Sequence, residues 1–221
     1  NTLGWRWVGG LHTRGKTYLA RPDNIAKFTD GRFNPAGQLA TSAPPLEEDA
    51  EHPLVPLRLP DATRPERAGL LVTEDDCAPE TIAWPAQPVA AIGLIATQAR
   101  SPLPVAQGVY GFARGAVADA LSRVETHYDV ESQQAGADDG GAALVAWARA
   151  NALDAVVTPY APVGPAAERL DAARGALLAA GVALIEVRRD WDTAAWPHAT
   201  KGFFRVKKQI PALFEAAGIS R

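Results

Sequence analysis

"AGLLVTEDDC", residues 68–77, is the stretch that decides the fold. A short apolar run, Leu70 to Val72, stops at a cluster of carboxylates. A run of that length bounded by polar residues reads as a buried strand. "PVAAIGLIA" (88–96) has the same texture, and "DAVVT" (154–158) and "VALIEV" (182–187) are further strand candidates.

Helical spacing fills the gaps between these runs. Val109, Phe112, Ala116, Ala120 and Val124 recur at helical intervals, as do Leu144, Val145, Ala148 and Ala152. Ala166 to Ala180 is rich in Ala and Leu, which are strong helix formers, and Gly181 stands where a left-handed C-terminal cap belongs. A last helix is expected from about Gly202 to Ala217, ended or kinked midway by Pro211. Strands alternating with helices predict an α/β fold: a parallel sheet flanked by helices, with any ligand at the carboxyl ends of the strands.

The totals agree with a globular chain. Of 221 residues, 47% are apolar and 21% charged, enough for a substantial core. A formal net charge of −3 argues against a protein that coats nucleic acid along its whole surface. Cys77 is the one cysteine, so no internal disulfide and no cysteine-based zinc site can form; this fits a reducing, cytoplasmic compartment. No apolar run approaches the length of a membrane helix. Methionine is absent, and the first residues lack the pattern of a signal peptide. The expectation is a fragment whose first residue, Asn1, lies inside a larger chain.

Charge divides the sequence into three pieces. Residues 1–35 are basic: Arg6, Arg14, Lys16, Arg21, Lys27 and Arg32 stand against Asp23 and Asp30. Residues 36–66 are acidic and carry Pro44, Pro45, Pro53, Pro56, Pro60 and Pro65, a density that blocks helix and central strand. They read as an extended linker, laid on a partner surface through Leu54, Val55, Leu57 and Leu59. The α/β domain is expected over 67–221.

Several chemistries are excluded. There is no G-x-G-x-x-G after a strand, no G-x-x-x-x-G-K-[ST] and no G-x-S-x-G. His12, His52, His127 and His198 lack metal-ligand spacing. "TEDDC" (73–77) reads as a solvated turn that caps the next element, with a strand-end ligand site as the alternative. In "VTPYAPVGP" (157–165), Tyr160 either stacks on a flat ligand or belongs to a proline-locked turn. In "TKGFFRVKKQIP" (200–211), Phe203, Phe204 and Val206 are expected to be buried and Arg205, Lys207 and Lys208 solvated. Nucleic-acid contact is the alternative there.

The N-terminus, "NTLGWRWVGG" (1–10), carries an amide and two indoles. On a helix Asn1 and Trp5 share a face, one turn apart, while Trp7 points elsewhere. Together with "YLARPDNIAKFTDGRFNP" (18–35), this stretch resembles the C-terminal end of the FAD-binding helical domain of the photolyase/cryptochrome family. That pattern is an Asn, a Trp four residues later, another Trp two further on and a small-residue turn. "DAVVTPYAPVGPAAERLDAARGALLAAGVALIEV" (154–187) and "KGFFRVKKQIPALF" (201–214) are similar to parts of the family's α/β antenna domain. The order resembles that of bacterial photolyase-like FAD-binding proteins with inverted domains. "LLVTEDDC" matches the family's first strand in place only, without its arginine and D-L-R signature, which leaves an antenna chromophore without its mark.

The resemblance implies a short helical remnant of a FAD domain over 1–35, followed by an antenna-like domain. It implies FAD as cofactor, held mostly by an upstream domain of the same chain, and damaged DNA as a partner. Asn1 would face flavin N5, and Trp5 would contact the flavin and relay electrons. Trp7 would stack on an extruded base. Arg6, Arg14 and Lys16 would meet phosphates. The implied activity is light-driven repair of pyrimidine dimers or blue-light signalling, with this fragment alone inactive. The competing reading is a non-catalytic α/β interaction domain or small-ligand binder.

Overall fold

A computed structural model describes residues 8–11, 17–47, 63–135, 141–200 and 203–219. The chain divides into two compact units, Asn1–Leu57 and Arg58–Arg221.

In the first unit, helix α1 spans Pro22–Phe28. Pro22 occupies its first turn, where a missing N–H costs nothing. Asp23 sits at the positive end of the helix and Lys27 at the negative end. Arg21 grips Asp23 with two bonds, of 3.2 and 2.7 Å. The helix stops at Asp30 and Gly31, both at positive φ, and the Gly31 N–H returns to the Ala26 carbonyl at 2.8 Å. Part of the acidic stretch belongs to this unit. The Leu46 N–H donates to the Gly9 carbonyl at 2.9 Å, and the Thr17 hydroxyl donates to the Ala43 carbonyl at 3.3 Å. Among the described residues of the unit only Gly10 is buried.

The second unit holds five parallel strands: β1 (Ala68–Thr73), β2 (Pro88–Leu94), β3 (Ser132–Gln134), β4 (Ala155–Pro159) and β5 (Ala183–Val187). Their order is β3-β2-β1-β4-β5. Among the described residues, three helices of eight or more residues flank them: α2 (Gln107–Tyr128), α3 (Ala142–Ala150) and α4 (Pro165–Ala179). On one face Leu71, Ile92, Val156 and Leu184 pack with Leu144 and Trp147 of α3 and Leu170 and Leu177 of α4. On the other, Leu70, Val72, Val157 and Ile185 pack with Val117, Leu121 and Val124 of α2. Covered on both sides, β1 is buried along its whole length, which is why it reads as a continuous apolar run. The α/β fold expected from the sequence is the observed one.

Two glycines are fixed by packing. A Cβ on Gly69 would lie 2.4 Å from Trp147 Cη2 and 2.3 Å from Leu153 Cδ1. On the other face, a Cβ on Gly93 would lie 2.6 Å from Val117 Cγ1. The α4 C-terminus ends as expected: Gly181 has φ +78, its N–H donates to Leu178 O, and Val182 N–H donates to Leu177 O. That pair of bonds satisfies the last free carbonyls of the helix.

The structure corrects three readings. The buried stripe of α2 is Ala113, Val117, Ala120, Leu121 and Val124, whereas Val109 and Phe112 are exposed. Counting back from Val124 in threes and fours reaches 113, and a one-residue offset turns a side chain by about 100°. The final segment is not one helix. After α5 (Asp190–Ala195) come α6 (Phe203–Lys207) and α7 (Ile210–Ala216), with Pro211 in the first turn of α7. Phe203 and Phe204, expected in the core, are 55% and 75% exposed and pack on each other at 5.8 Å between centroids. A five-residue helix is too short to bury one face while keeping the other wet.

Candidate functional site

The contacts assigned by resemblance, Asn1, Trp5, Arg6, Trp7, Arg14 and Lys16, lie outside the described residues. The described part of their unit has a groove of about 490 Å³ lined by Tyr18, Leu19, Arg21, Pro22 and Leu39 among others.

In the second unit the strand order reverses between β1 and β4, so the loops after these two strands flank the crevice where open α/β sheets place ligands. The loop after β1 is "TEDDC", and it is not a solvated turn. The Glu74 side chain is 6% exposed. Its two oxygens accept the Ala96 N–H at 2.9 and 3.0 Å, and one accepts the Thr97 hydroxyl at 2.8 Å. Asp75 pairs with Arg100, whose Nε also lies 3.6 Å from Glu74. Asp76 pairs with Arg189 and accepts the Ala78 N–H at 3.1 Å. Arg189 also donates to the Ala78 carbonyl at 2.9 Å. The carboxylates thus tie the ends of β1, β2 and β5 together. The reason is proximity: parallel strands bring their C-terminal loops side by side, and buried acids there need donors.

The other side of the crevice is tied similarly. Glu186 on β5 is buried; it accepts from Arg174 at 2.7 Å and from the Ala161 N–H at 3.3 Å. Arg169 donates to the Ile95 carbonyl at 3.4 Å. Tyr160 meets Trp196 edge-on at 5.4 Å between centroids, and the Arg188 guanidinium lies 5.3 Å from its ring. The ring thus has partners within the protein, in keeping with the turn alternative read from "VTPYAPVGP". Thr158 Oγ1 on β4 is buried with no hydrogen bond.

Electrostatics follow the same pairs. Hydrogen bonding to Asp75 raises the Arg100 pKa, and hydrogen bonding to Asp76 raises that of Arg189. Burial, with the Asp76 charge second, pushes the Cys77 thiol up, so it is a poor nucleophile at neutral pH. No three His, Cys, Asp or Glu side chains converge as metal ligands among the described residues. No helix among them is long and apolar enough to cross a membrane.

Neither a family model, a curated protein nor a solved structure matches this chain. Arg189 and Trp196 carry no signal in the sequence because each acts on a residue far away along the chain. Asp76 and Arg189, for example, are 113 positions apart.

Proposed function

We propose that the chain is part of a photolyase/cryptochrome-like flavoprotein, and that its α/β unit is a companion domain rather than the seat of chemistry. The carrying observation is the register of Asn1, Trp5 and Trp7, followed by "YLARPDNIAKFTDGRFNP". The engaged rim of the α/β unit supports the second half: Glu74, Asp75, Asp76 and Glu186 each have a cationic or N–H partner, so none stands as a free acid or base.

The side chains suit a flavin. An amide both donates and accepts, so Asn1 can serve ring nitrogen N5 in either protonation state. The indole of Trp5 is large and oxidisable and can pass an electron onward. Trp7 offers a π face for an unstacked base. Arg6, Arg14 and Lys16 offer phosphate contacts. FAD, when bound, supplies the light absorption and the electron chemistry. Whether the outcome is repair of pyrimidine dimers or signalling is tested by assay. The full-length protein under blue light should repair a dimer-containing oligonucleotide, and Trp7→Ala should weaken lesion binding at least tenfold, about 1.4 kcal/mol. Lesion binding unchanged in Trp7→Ala removes Trp7 from the site.

A further inference from the structure

At the opposite edge from the carboxyl ends of the strands, a groove of about 410 Å³ opens beside the first residue of β2, lined by Glu80, Trp84, Gln87, His127 and Tyr128 among others. The segment joining β1 to β2 carries only a single 3-10 turn, Pro79–Thr81, where a crossover helix would otherwise stand. The groove lies between that segment and the last turn of α2, where Gln87 Nε2 donates to the Tyr128 carbonyl at 3.5 Å. We propose that this groove binds a primary ammonium group on a short aliphatic stem.

Three features lead to this ligand. Glu80 contributes one carboxylate oxygen to a pair with Arg123, while the other, Oε2, is buried with no hydrogen-bond partner. A carboxylate oxygen without a donor is strongly unfavourable, and the terminal torsion of Glu is broad, so a small rotation presents it to the groove. Next, the Trp84 indole is anchored by a 3.1 Å bond to the Pro79 carbonyl, and the half-buried Tyr128 ring packs edge-on against His127 at 4.5 Å. Such ring faces attract cations and pack against methylenes. Finally, Arg123 is already held by Glu80, Asp119 and the Cys77 carbonyl, the last at 2.5 Å, so its guanidinium is committed elsewhere and leaves Glu80 Oε2 without a donor. A guanidinium presents a planar fork that suits two oxygens, whereas an ammonium can aim one of its three donors at the single free oxygen and leave the others to water.

The ammonium could come from a free alkylamine or from a lysine side chain, and the probes separate the two. The full chain is titrated with n-butylammonium, with N-acetyl-lysine amide and with n-butanol, following the indole N–H resonance of Trp84. Both ammonium probes are expected to shift it saturably in the millimolar range, and n-butanol to bind at least about tenfold more weakly. Tighter binding of the lysine probe assigns the groove to a protein lysine; tighter binding of n-butylammonium assigns it to a free amine. Glu80→Gln should lower affinity for either by about tenfold. The n-butanol comparison needs no variant and stands whether or not Glu80→Gln folds. No saturable shift up to about 100 mM, or equal binding of n-butanol, overturns the proposal. So does unchanged affinity in a folded Glu80→Gln.

Discussion

Asp76 and Arg189 meet across the end of the sheet, with a second guanidinium nitrogen 3.0 Å from Asp76 Oδ1 and that same nitrogen 2.9 Å from the Ala78 carbonyl. One arginine thereby fastens the loop after β1 to the residues after β5. The pair is neither deep nor fully wet, with the Arg189 side chain 27% and the Asp76 side chain 20% exposed. Truncation strips the half-buried Arg189 of its carboxylate and leaves it only the Ala78 carbonyl and the Thr81 hydroxyl, so Asp76→Ala should lower unfolding free energy by about 1–3 kcal/mol, read from the urea midpoint. The Arg189 pKa is raised, so its contribution is complete below the ordinary guanidinium value and is lost only as pH climbs through the higher folded one. The cost of removing Arg189 should therefore be flat across neutral pH. A double-mutant cycle with no coupling between the two residues would show the contact to be incidental.

Gly69 gives a steric test. Its Cβ would overlap both Trp147 and Leu153 inside the α3 face of the core. Neither is a flexible surface side chain, so Gly69→Ala should cost about 1–3 kcal/mol. Gly115, within α2, has open space around its Cβ position. There the gain in helix propensity is unopposed, and Gly115→Ala should stabilise by about 0.4–1 kcal/mol. Equal thermal midpoints for the two variants would contradict the packing described.

Cys77 gives a chemical test. Burial raises its thiol pKa, first of several causes. Native protein should react with iodoacetamide more slowly than urea-unfolded protein at mildly alkaline pH, because less thiolate is present. A folded pKa raised above the unfolded one means stability is complete below the ordinary thiol value and declines as pH rises past it. Faster alkylation of the native form would reverse this picture.

The strands β1, β2, β4 and β5 were legible because burial on both faces writes itself as apolar runs. Gly181 was legible because its position after an Ala-rich helix has one common use. β3 was not, since "SQQ" is a polar edge strand with half-exposed or exposed side chains. Trp147 was overlooked among alanines although it is 4% exposed and anchors one face of the core. "TEDDC" misleads because local composition gives no sign of the arginines that arrive from the segments after β2 and β5, Arg100 and Arg189. Phe203 and Phe204 mislead because aromatic residues suggest burial, whereas the five-residue helix that carries them buries none of its side chains.

The central claim concerns the first seven residues, and flavin photoreduction tests it most directly. The full-length protein should purify with bound FAD and photoreduce under blue light with an external donor. Trp5→Phe should slow that photoreduction by at least about tenfold while leaving FAD bound. Protein that binds no flavin, or a Trp5→Phe variant that photoreduces at the unaltered rate, would contradict the account.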